Sequence, residues 1–387
     1  MSRTVGHFVG SYLPLTETFI YQYLSNYERY EPFVCGKDAR NLDLFPFEPR
    51  YLFFELPQWS PRFWLYGGLA KLNLRGLTQT YYRHVAKKTD PDIIHANFGP
   101  NAVGLLQHRS PERPLVTTFH GYDISELVHR NDSMRRQYER LFETGDLFLV
   151  EGPSMREKLL SLGCPKEKIG LQRIAIDTDR ITPDYPEPNG EWRILTAGRF
   201  TEKKGIPDGI EAFADAFARE SGAELRIVGG ESDDAETNSG ECTQAELEEI
   251  ASRRGVRDQV TFTGFLEYEE YLAEIQHCDL VLAPSKRAES GDSEGGAPTV
   301  LLEAQASGKP VVSTTHADIP YIVEDGAAGR LVTPGAVDEL ADALQWCRAN
   351  EDELEEMGRV GRDNVARDHD IQKLIDQLER RYDELLA

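Results

Sequence analysis

Four short stretches of this 387-residue chain hold residue types that could bind and process a small polar ligand. In GRFTEKKG, residues 198–205, Arg199, Lys203 and Lys204 stand between glycines, just after the apolar run WRILTA and before a helical stretch. Basic side chains together with the unpaired N–H groups of a following helix suit a diphosphate. A single basic turn of this kind is about as often an ordinary solvated loop. In the second stretch, Ser285 to Val312, Gly295, Gly296, Ala297, Pro298 and Thr299 lead into the short apolar helix TVLLEAQA. A proline near the first helical position leaves free amides there. Glu294 precedes that helix and Glu303 lies about a turn and a half inside it, so both can approach a ligand seated at its start. A carboxylate accepts hydrogen bonds from two adjacent hydroxyls, as a ribose or hexose presents, although a lone Glu here is commonly a cap.

The third stretch is TFHGYDIS, residues 118–125, where His120 precedes a glycine at a strand end and Asp123 stands where it could orient the ring. A lone His is more often structural; its place at the strand end singles this one out. The fourth is GSYLPLTETFI, residues 10–20, where Gly10 permits close backbone approach and Thr16, Glu17 and Thr18 open a helix. A capping box explains that last group most simply.

The elements that must position these loops read as alternating strands and helices. The first half carries TVGHFVG, EPFVC, YLFFEL, PDIIHA, PLVTTF and DLFLVE; the second carries WRILTAG, AELRIVGG, QVTFTGF, CDLVLAPS, KPVVSTT and GRLVTP. Short β-rich runs separated by amphipathic stretches such as Ile206 to Arg219 and Glu267 to Gln276 predict βα units, hence an α/β chain with two doubly wound parallel sheets. In such sheets ligands bind outside the carboxyl ends of the strands, where all four stretches fall. The Pro-rich segment TPDYPEPNGEW, residues 182–192, predicts a linker at which a cleft opens. The expected domains are 1–182 and 183–369. After Pro334 only helices are expected, over Val337 to Arg348, Glu351 to Arg367 and Asp370 to Leu386, with 370–387 a candidate to pack back on the first domain.

Composition narrows the functional classes. With 40% apolar and 28% charged residues the chain is globular. No apolar run reaches membrane-spanning length, and the N-terminus lacks a basic region followed by a long apolar one, so neither a span nor a secretory signal is expected. Cys35, Cys164, Cys242, Cys278 and Cys347 are odd in number and scattered, which fits a reducing cytoplasm. The net charge of -23 argues against nucleic acid. It is lopsided: residues 1–186 carry 23 Lys+Arg against 22 Asp+Glu, and the remainder 20 against 44. Only 12 of the basic residues are Lys, a balance that suits either a high-salt host or simply a well-solvated acidic surface.

GRFTEKKG, EGGAPTVLLEAQASGKPVVST and VEDGAAGRLV closely resemble the nucleotide-sugar half of family-four retaining glycosyltransferases of the GT-B fold. TETFI, DIIHANFG and TFHGYDI resemble the acceptor half of the subgroup that builds exopolysaccharides such as colanic acid. The resemblance covers nearly the whole chain and implies two Rossmann-like domains facing across a cleft. It implies that Arg199 and Lys204 contact a donor diphosphate, that Glu303 holds the ribose, that Glu294 holds hydroxyls of the donor sugar, and that His120 sits beside the transferred sugar, with Glu17 and Asp123 on the acceptor side. Backbone near Gly229 and Phe265 would meet the base, UDP or GDP. The family pattern places seven residues between the two glutamates, whereas eight separate Glu294 from Glu303; Gly295 occupies the regular spacing, and Glu289 and Asp292 stand by as substitutes. The glycine-rich loop usual after the first strand is reduced to Gly10 and Ser11.

The implied chemistry is transfer of a hexose from a nucleotide-diphosphate sugar to a saccharide or lipid-linked acceptor. Cations and helix amides would stabilise the leaving diphosphate, with no cofactor and no metal, and the donor phosphate would take the acceptor proton. The acidic pairs Asp177/Asp179 and Asp368/Asp370 read as linker and helix-start residues rather than metal ligands. Between Phe45 and His84 lie 11 of the 37 aromatics, including Trp59, Phe63 and Trp64, followed by Lys71, Arg75, Arg83, Lys87 and Lys88. This pattern fits either an interfacial helix on the cytoplasmic leaflet or a core helix with a solvated face. A sugar-nucleotide epimerase of the same fold and a non-catalytic nucleotide-sugar sensor are the alternatives. A dehydrogenase is disfavoured because no GxGxxG follows the first strand of either half.

Overall fold

The structure is a computed structural model that describes residues 2–13, 18–56, 59, 61, 64, 76–185, 191–218, 222–231, 242–296 and 298–387. It divides into two compact units, Met1–Ala175 with Ile371–Ala387, and Ile176–Asp370. The first unit holds a seven-stranded sheet in the order β3-β2-β1-β4-β5-β6-β7. These strands are β1 (Arg3–Phe8), β2 (Tyr30–Gly36), β3 (Arg50–Leu52), β4 (Ile93–Asn97), β5 (Leu115–Thr118), β6 (Leu147–Val150) and β7 (Ile169–Leu171). The second holds six strands in the order β10-β9-β8-β11-β12-β13. They are β8 (Trp192–Ala197), β9 (Ala223–Val228), β10 (Val260–Gly264), β11 (Leu280–Ala283), β12 (Val311–Thr314) and β13 (Gly329–Val332). All these pairings are parallel. Both sheets are doubly wound, and each reverses its strand order beside its first strand, the place where such folds bind ligands.

Eleven of the twelve expected runs form strands over half their length or more; in YLFFEL only Tyr51 and Leu52 are extended and Phe53–Glu55 forms a 3-10 turn, while β7 is an addition. Its three residues, IGL, follow a short turn and are too few to show a pattern. Four inner strands, β4, β5, β11 and β12, are buried along their whole length, because helices cover both faces of a parallel sheet. Helix starts follow local chemistry. Thr243 and Glu246 form a reciprocal capping box that opens the helix Gln244–Arg253. Gly205 adopts φ 66° ahead of the helix Ile206–Phe217, and a Cβ there would collide with the carbonyl of Pro284, so only glycine fits.

Three helices close the chain, Val337–Ala349, Glu351–Asp368 and Ile371–Leu385. The first two belong to the second unit and the last to the first unit. Ile375, Leu378 and Tyr382 pack into a core with Val5, Ile93, Val116 and Leu149. Glu379, almost fully buried, accepts hydrogen bonds from the backbone N–H of Glu28 and Arg29 at 2.9 and 2.6 Å and from the Arg29 side chain at 3.0 Å. A polar residue on the helix thus ties down the entry to β2. Asp370 accepts from the Thr178 hydroxyl at 2.6 Å and Asp177 from the Arg180 backbone at 3.1 Å, so both act as structural acceptors.

Candidate functional site

In the second unit the loops at the carboxyl ends of β8 to β12 are stitched to one another. Gly198 donates to Val228 and Gly229 to Gly264 through their backbones, at 3.0 and 2.9 Å, and Lys286 donates to the Lys203 carbonyl at 2.9 Å. Gly229 has φ 125° and lies so close to Gly198 that a Cβ would strike the Gly198 carbonyl. The Thr314 hydroxyl, ending β12, donates to the Ser285 carbonyl after β11 at 2.5 Å.

This frame gathers the charged residues. Lys204 lies in the single turn Glu202–Lys204, and its ammonium is 2.9 Å from Glu294 Oε1 and 3.2 Å from Oε2. The Ser285 hydroxyl donates to Glu294 Oε1 at 3.2 Å. Lys203 pairs with Asp292 at 3.0 Å. Burial raises the Glu294 carboxyl, but Lys204 and then Lys203 outweigh it and bring it down to about 2. Burial also lowers the Lys204 ammonium, with Glu294 opposing and the neighbouring Lys203 and Arg199 adding to the effect. Arg199 is part of the same electrostatic neighbourhood.

Glu303, on the helix Thr299–Ala306, is equally buried but sits beside two phenols instead of a cation. Tyr271 donates to its Oε2 at 2.7 Å, and Tyr268 also hydrogen-bonds to it. Burial pushes this carboxyl up to about 7, with Tyr271 and then Tyr268 pulling the other way. Two glutamates nine positions apart therefore carry opposite shifts, set by cations for one and phenols for the other. Such divergence marks ligand-handling carboxylates more often than structural ones.

The rest of the expected donor set falls around these groups. Phe265 is half exposed, and its ring packs over Gly230. Gly295 and Gly296 form the bend before the helix, and Pro298 occupies the cap position with Thr299 as the first helical residue. Ala297 lies outside the described residues. Just before Glu294 the chain closes a turn: Gly291 donates to the Ala288 carbonyl and Ala288 to that of Asp292, both at 2.9 Å. Glu294 meets Lys204, Asp292 meets Lys203, and Glu289 offers its backbone N–H to Glu202. Sequence reasoning missed Ser285, Tyr268, Tyr271 and His316, whose Nε2 lies 3.0 Å from the Ser293 hydroxyl. Ser285 and His316 had a signal in standing just past strands; the tyrosines, on the helix Tyr268–Gln276, had none.

In the first unit His120 follows β5. Its ring Nδ1 is 2.9 Å from Glu151 Oε1, just past β6, and its Nε2 is 3.4 Å from Asn97 Oδ1, the last residue of β4. The rings of Phe98 and Phe19 flank it, with centroids at 4.6 and 4.8 Å. Asp123 does not orient the ring as expected. Its carboxylate accepts the backbone N–H of His120 at 3.1 Å and of Gly99 at 2.8 Å, a loop-tying role that burial accompanies with a raised carboxyl. Glu151 meets the ring instead. A cavity of about 30 Å³, large enough for a water or two, is lined by His120, Glu151, Asn97, His7, His95 and Arg173 among others. Gly10, after β1, is exposed with open space about it, and Glu17 lies outside the described residues. Among the described residues no group of three or more His, Cys, Asp or Glu is placed to hold a metal ion.

Comparison with known proteins bears on both units. The family model "Glycosyl transferases group 1" matches residues 177–364, and the model "Glycosyltransferase Family 4" matches residues 38–180. The putative colanic acid biosynthesis glycosyltransferase WcaL of Salmonella typhimurium is 33% identical over 295 residues, covering 74% of this chain and 69% of that protein. The amylovoran biosynthesis glycosyltransferase AmsK of Erwinia amylovora is 34% identical over 259 residues, 65% of this chain and 60% of that protein. Among solved structures, Anabaena Alr3699/HepE in complex with UDP superposes with a TM-score of 0.77 at 19% identity, covering 99% of this chain and 100% of that one. The fold class is GT-B, with two Rossmann-like units.

Proposed function

Since the chain belongs to the group 1 and family 4 glycosyltransferases, we propose that this transferase moves a hexose-type sugar from a nucleotide-diphosphate donor to a saccharide or lipid-linked acceptor, with retention of anomeric configuration, in exopolysaccharide synthesis. The observation that carries the reading is the pairing of Lys204 with Glu294, Arg199 nearby, at the carboxyl end of β8, in the same unit as the phenol-bound Glu303. Lysine and arginine stabilise the charge that grows on the diphosphate as the anomeric bond breaks. Glu303 accepts hydroxyls of the ribose, and Glu294 those of the sugar once Lys204 turns to the phosphate. His120 is assigned to the transferred sugar. The acceptor proton leaves on the donor phosphate, and because cations and helix amides carry the diphosphate charge the reading includes no resident cofactor or metal, so EDTA should leave turnover unchanged.

The UDP held by the solved structure of similar fold supports a nucleotide-linked donor here. Contact with the cytoplasmic leaflet is part of the proposal. Trp59 and Trp64 are 85% and 70% exposed, and Lys88 sits over Tyr51 at 5.4 Å. Phe63, Lys71 and Arg75 lie outside the described residues, and no helix among the described residues is long and apolar enough to cross a membrane. Replacing both Arg199 and Lys204 by alanine should lower release of nucleoside diphosphate from UDP- and GDP-sugars by about a hundredfold or more. Unchanged turnover of every such donor would end the reading. An epimerase would convert the donor with no acceptor present.

A further inference from the structure

The polar groups behind His120 form one continuous chain, buried or half-buried along its length. Beyond Asn97, whose Oδ1 faces His120, the Asn97 Nδ2 is 3.4 Å from His7 Nδ1. His7 Nε2 lies 2.7 Å from the Tyr27 hydroxyl, which lies 2.9 Å from that of Tyr382. The Tyr382 hydroxyl is 2.5 Å from His95 Nδ1, and His95 Nε2 is 2.7 Å from Thr118 Oγ1. Tyr382 comes from the closing helix, Ile371–Leu385.

Each link carries one proton, so the direction of one link sets all the others. His7 and His95 are fully buried, and burial pushes both down, His7 to about 3, so each is neutral with a single N–H. Asn97 turns its NH2 toward His7, whose Nδ1 therefore accepts. His7 Nε2–H then donates to Tyr27, Tyr27 to Tyr382, Tyr382 to His95 Nδ1, and His95 Nε2–H to Thr118. At the other end both ring nitrogens of His120 face acceptors, the Asn97 carbonyl and the Glu151 carboxylate. The charged groups around the ring favour the same state. Among the described residues, Glu151 after β6 and Asp123 after β5 bring two carboxylates, and Arg173 on the shared cavity wall brings a guanidinium.

We propose that His120 is held as an imidazolium between Glu151 and Asn97, and that Tyr382 on the closing helix fixes this state by setting the direction of the hydrogen-bond chain. Glu151, Asn97 and Tyr382 are then positioning residues. A ring protonated on both nitrogens donates twice and accepts nothing, so His120 cannot take the acceptor proton. That agrees with proton transfer to the donor phosphate. The charge state of His120 stands on its own geometry; its use on the transferred sugar rests on the function proposed above.

The test is ¹⁵N NMR of the full chain labelled at histidine near neutral pH, with the His120 signals identified as those lost in His120→Asn. Both ring nitrogens of His120 should be protonated in the wild-type chain. Glu151→Gln, nearly isosteric and checked for folding by circular dichroism, should yield a neutral ring. It should also lower turnover by about tenfold or more while the Kd for UDP or GDP stays within about twofold. Tyr382→Phe should change the tautomer signals of His7 and His95 and lower the protonated fraction of His120. A neutral His120 in the wild-type chain, as the opposite direction of the chain requires, overturns the proposal, and so do variant spectra that match the wild type. If the spectra behave as stated but His120→Asn keeps full turnover, the charge assignment holds and the functional role of His120 falls.

Discussion

Glu303 is the residue whose environment makes the sharpest demand. As a carboxylate it accepts ligand hydroxyls; as a neutral acid it loses an acceptor. Because burial has moved it to about 7, nucleoside diphosphate affinity should rise as pH climbs through that value, and Glu303→Gln should flatten the profile in isothermal titration. Tyr271→Phe removes the stronger of the two phenols that draw the value down, so the midpoint should move to higher pH and affinity at neutral pH should fall severalfold. Stability moves in the opposite direction. Between its ordinary 4.5 and about 7 the folded chain binds more protons than the unfolded one, so stability declines as pH rises through that window. Above it the buried carboxylate costs about 3 kcal/mol, and Glu303→Gln should melt higher than wild type at alkaline pH. Glu294 runs oppositely: its value of about 2 means that its contribution is complete above 4.5 and is lost as pH falls toward 2.

At the scale of elements, the donor-side loops hold their shape through backbone contacts that leave no room for side chains. Gly229 joins the ends of β8, β9 and β10, where positive φ and the nearby Gly198 carbonyl both exclude a Cβ. Gly229→Ala should therefore lower stability by about 2 kcal/mol or more and weaken nucleotide binding with it. Gly255→Ala is the control. That residue also has positive φ, 75°, but open space around it, so it should cost only about 1 kcal/mol and leave nucleotide binding unchanged. Equal losses of binding in the two variants, measured by thermal melts and titration, would show that close packing at Gly229 does not shape the site.

At the scale of the whole molecule, charge and chain path set the predictions. The excess of 44 acidic over 20 basic residues after position 186 should make the chain self-repelling at low salt. The melting temperature should rise from dilute buffer to about 1 M KCl, where screening acts over roughly 3 Å; a flat or falling trend would leave the acidic balance a matter of solubility alone. Ending the chain after Asp370 removes Tyr382 and Glu379 from the core of the first unit. Calorimetry should then show the unit Ile176–Asp370 melting while the transition of the first unit is lost.

The doubly wound sheets were legible in the sequence because buried parallel strands are short, largely apolar runs, LVLA and PLVTTF among them, and because helices between them keep a regular spacing. The loops after those runs were legible for the same reason, which is how Arg199, Lys204, Glu294 and Glu303 came into view. Tertiary structure alone decided what each meets: Lys204 for Glu294, phenols for Glu303, Glu151 and not Asp123 for the ring of His120. It also decided that Tyr382, distant in sequence, meets the ring of His95. Periodicity reports which face of an element is apolar, whereas the partner of a buried polar group is fixed only when distant segments close around it and leave it no water to bond.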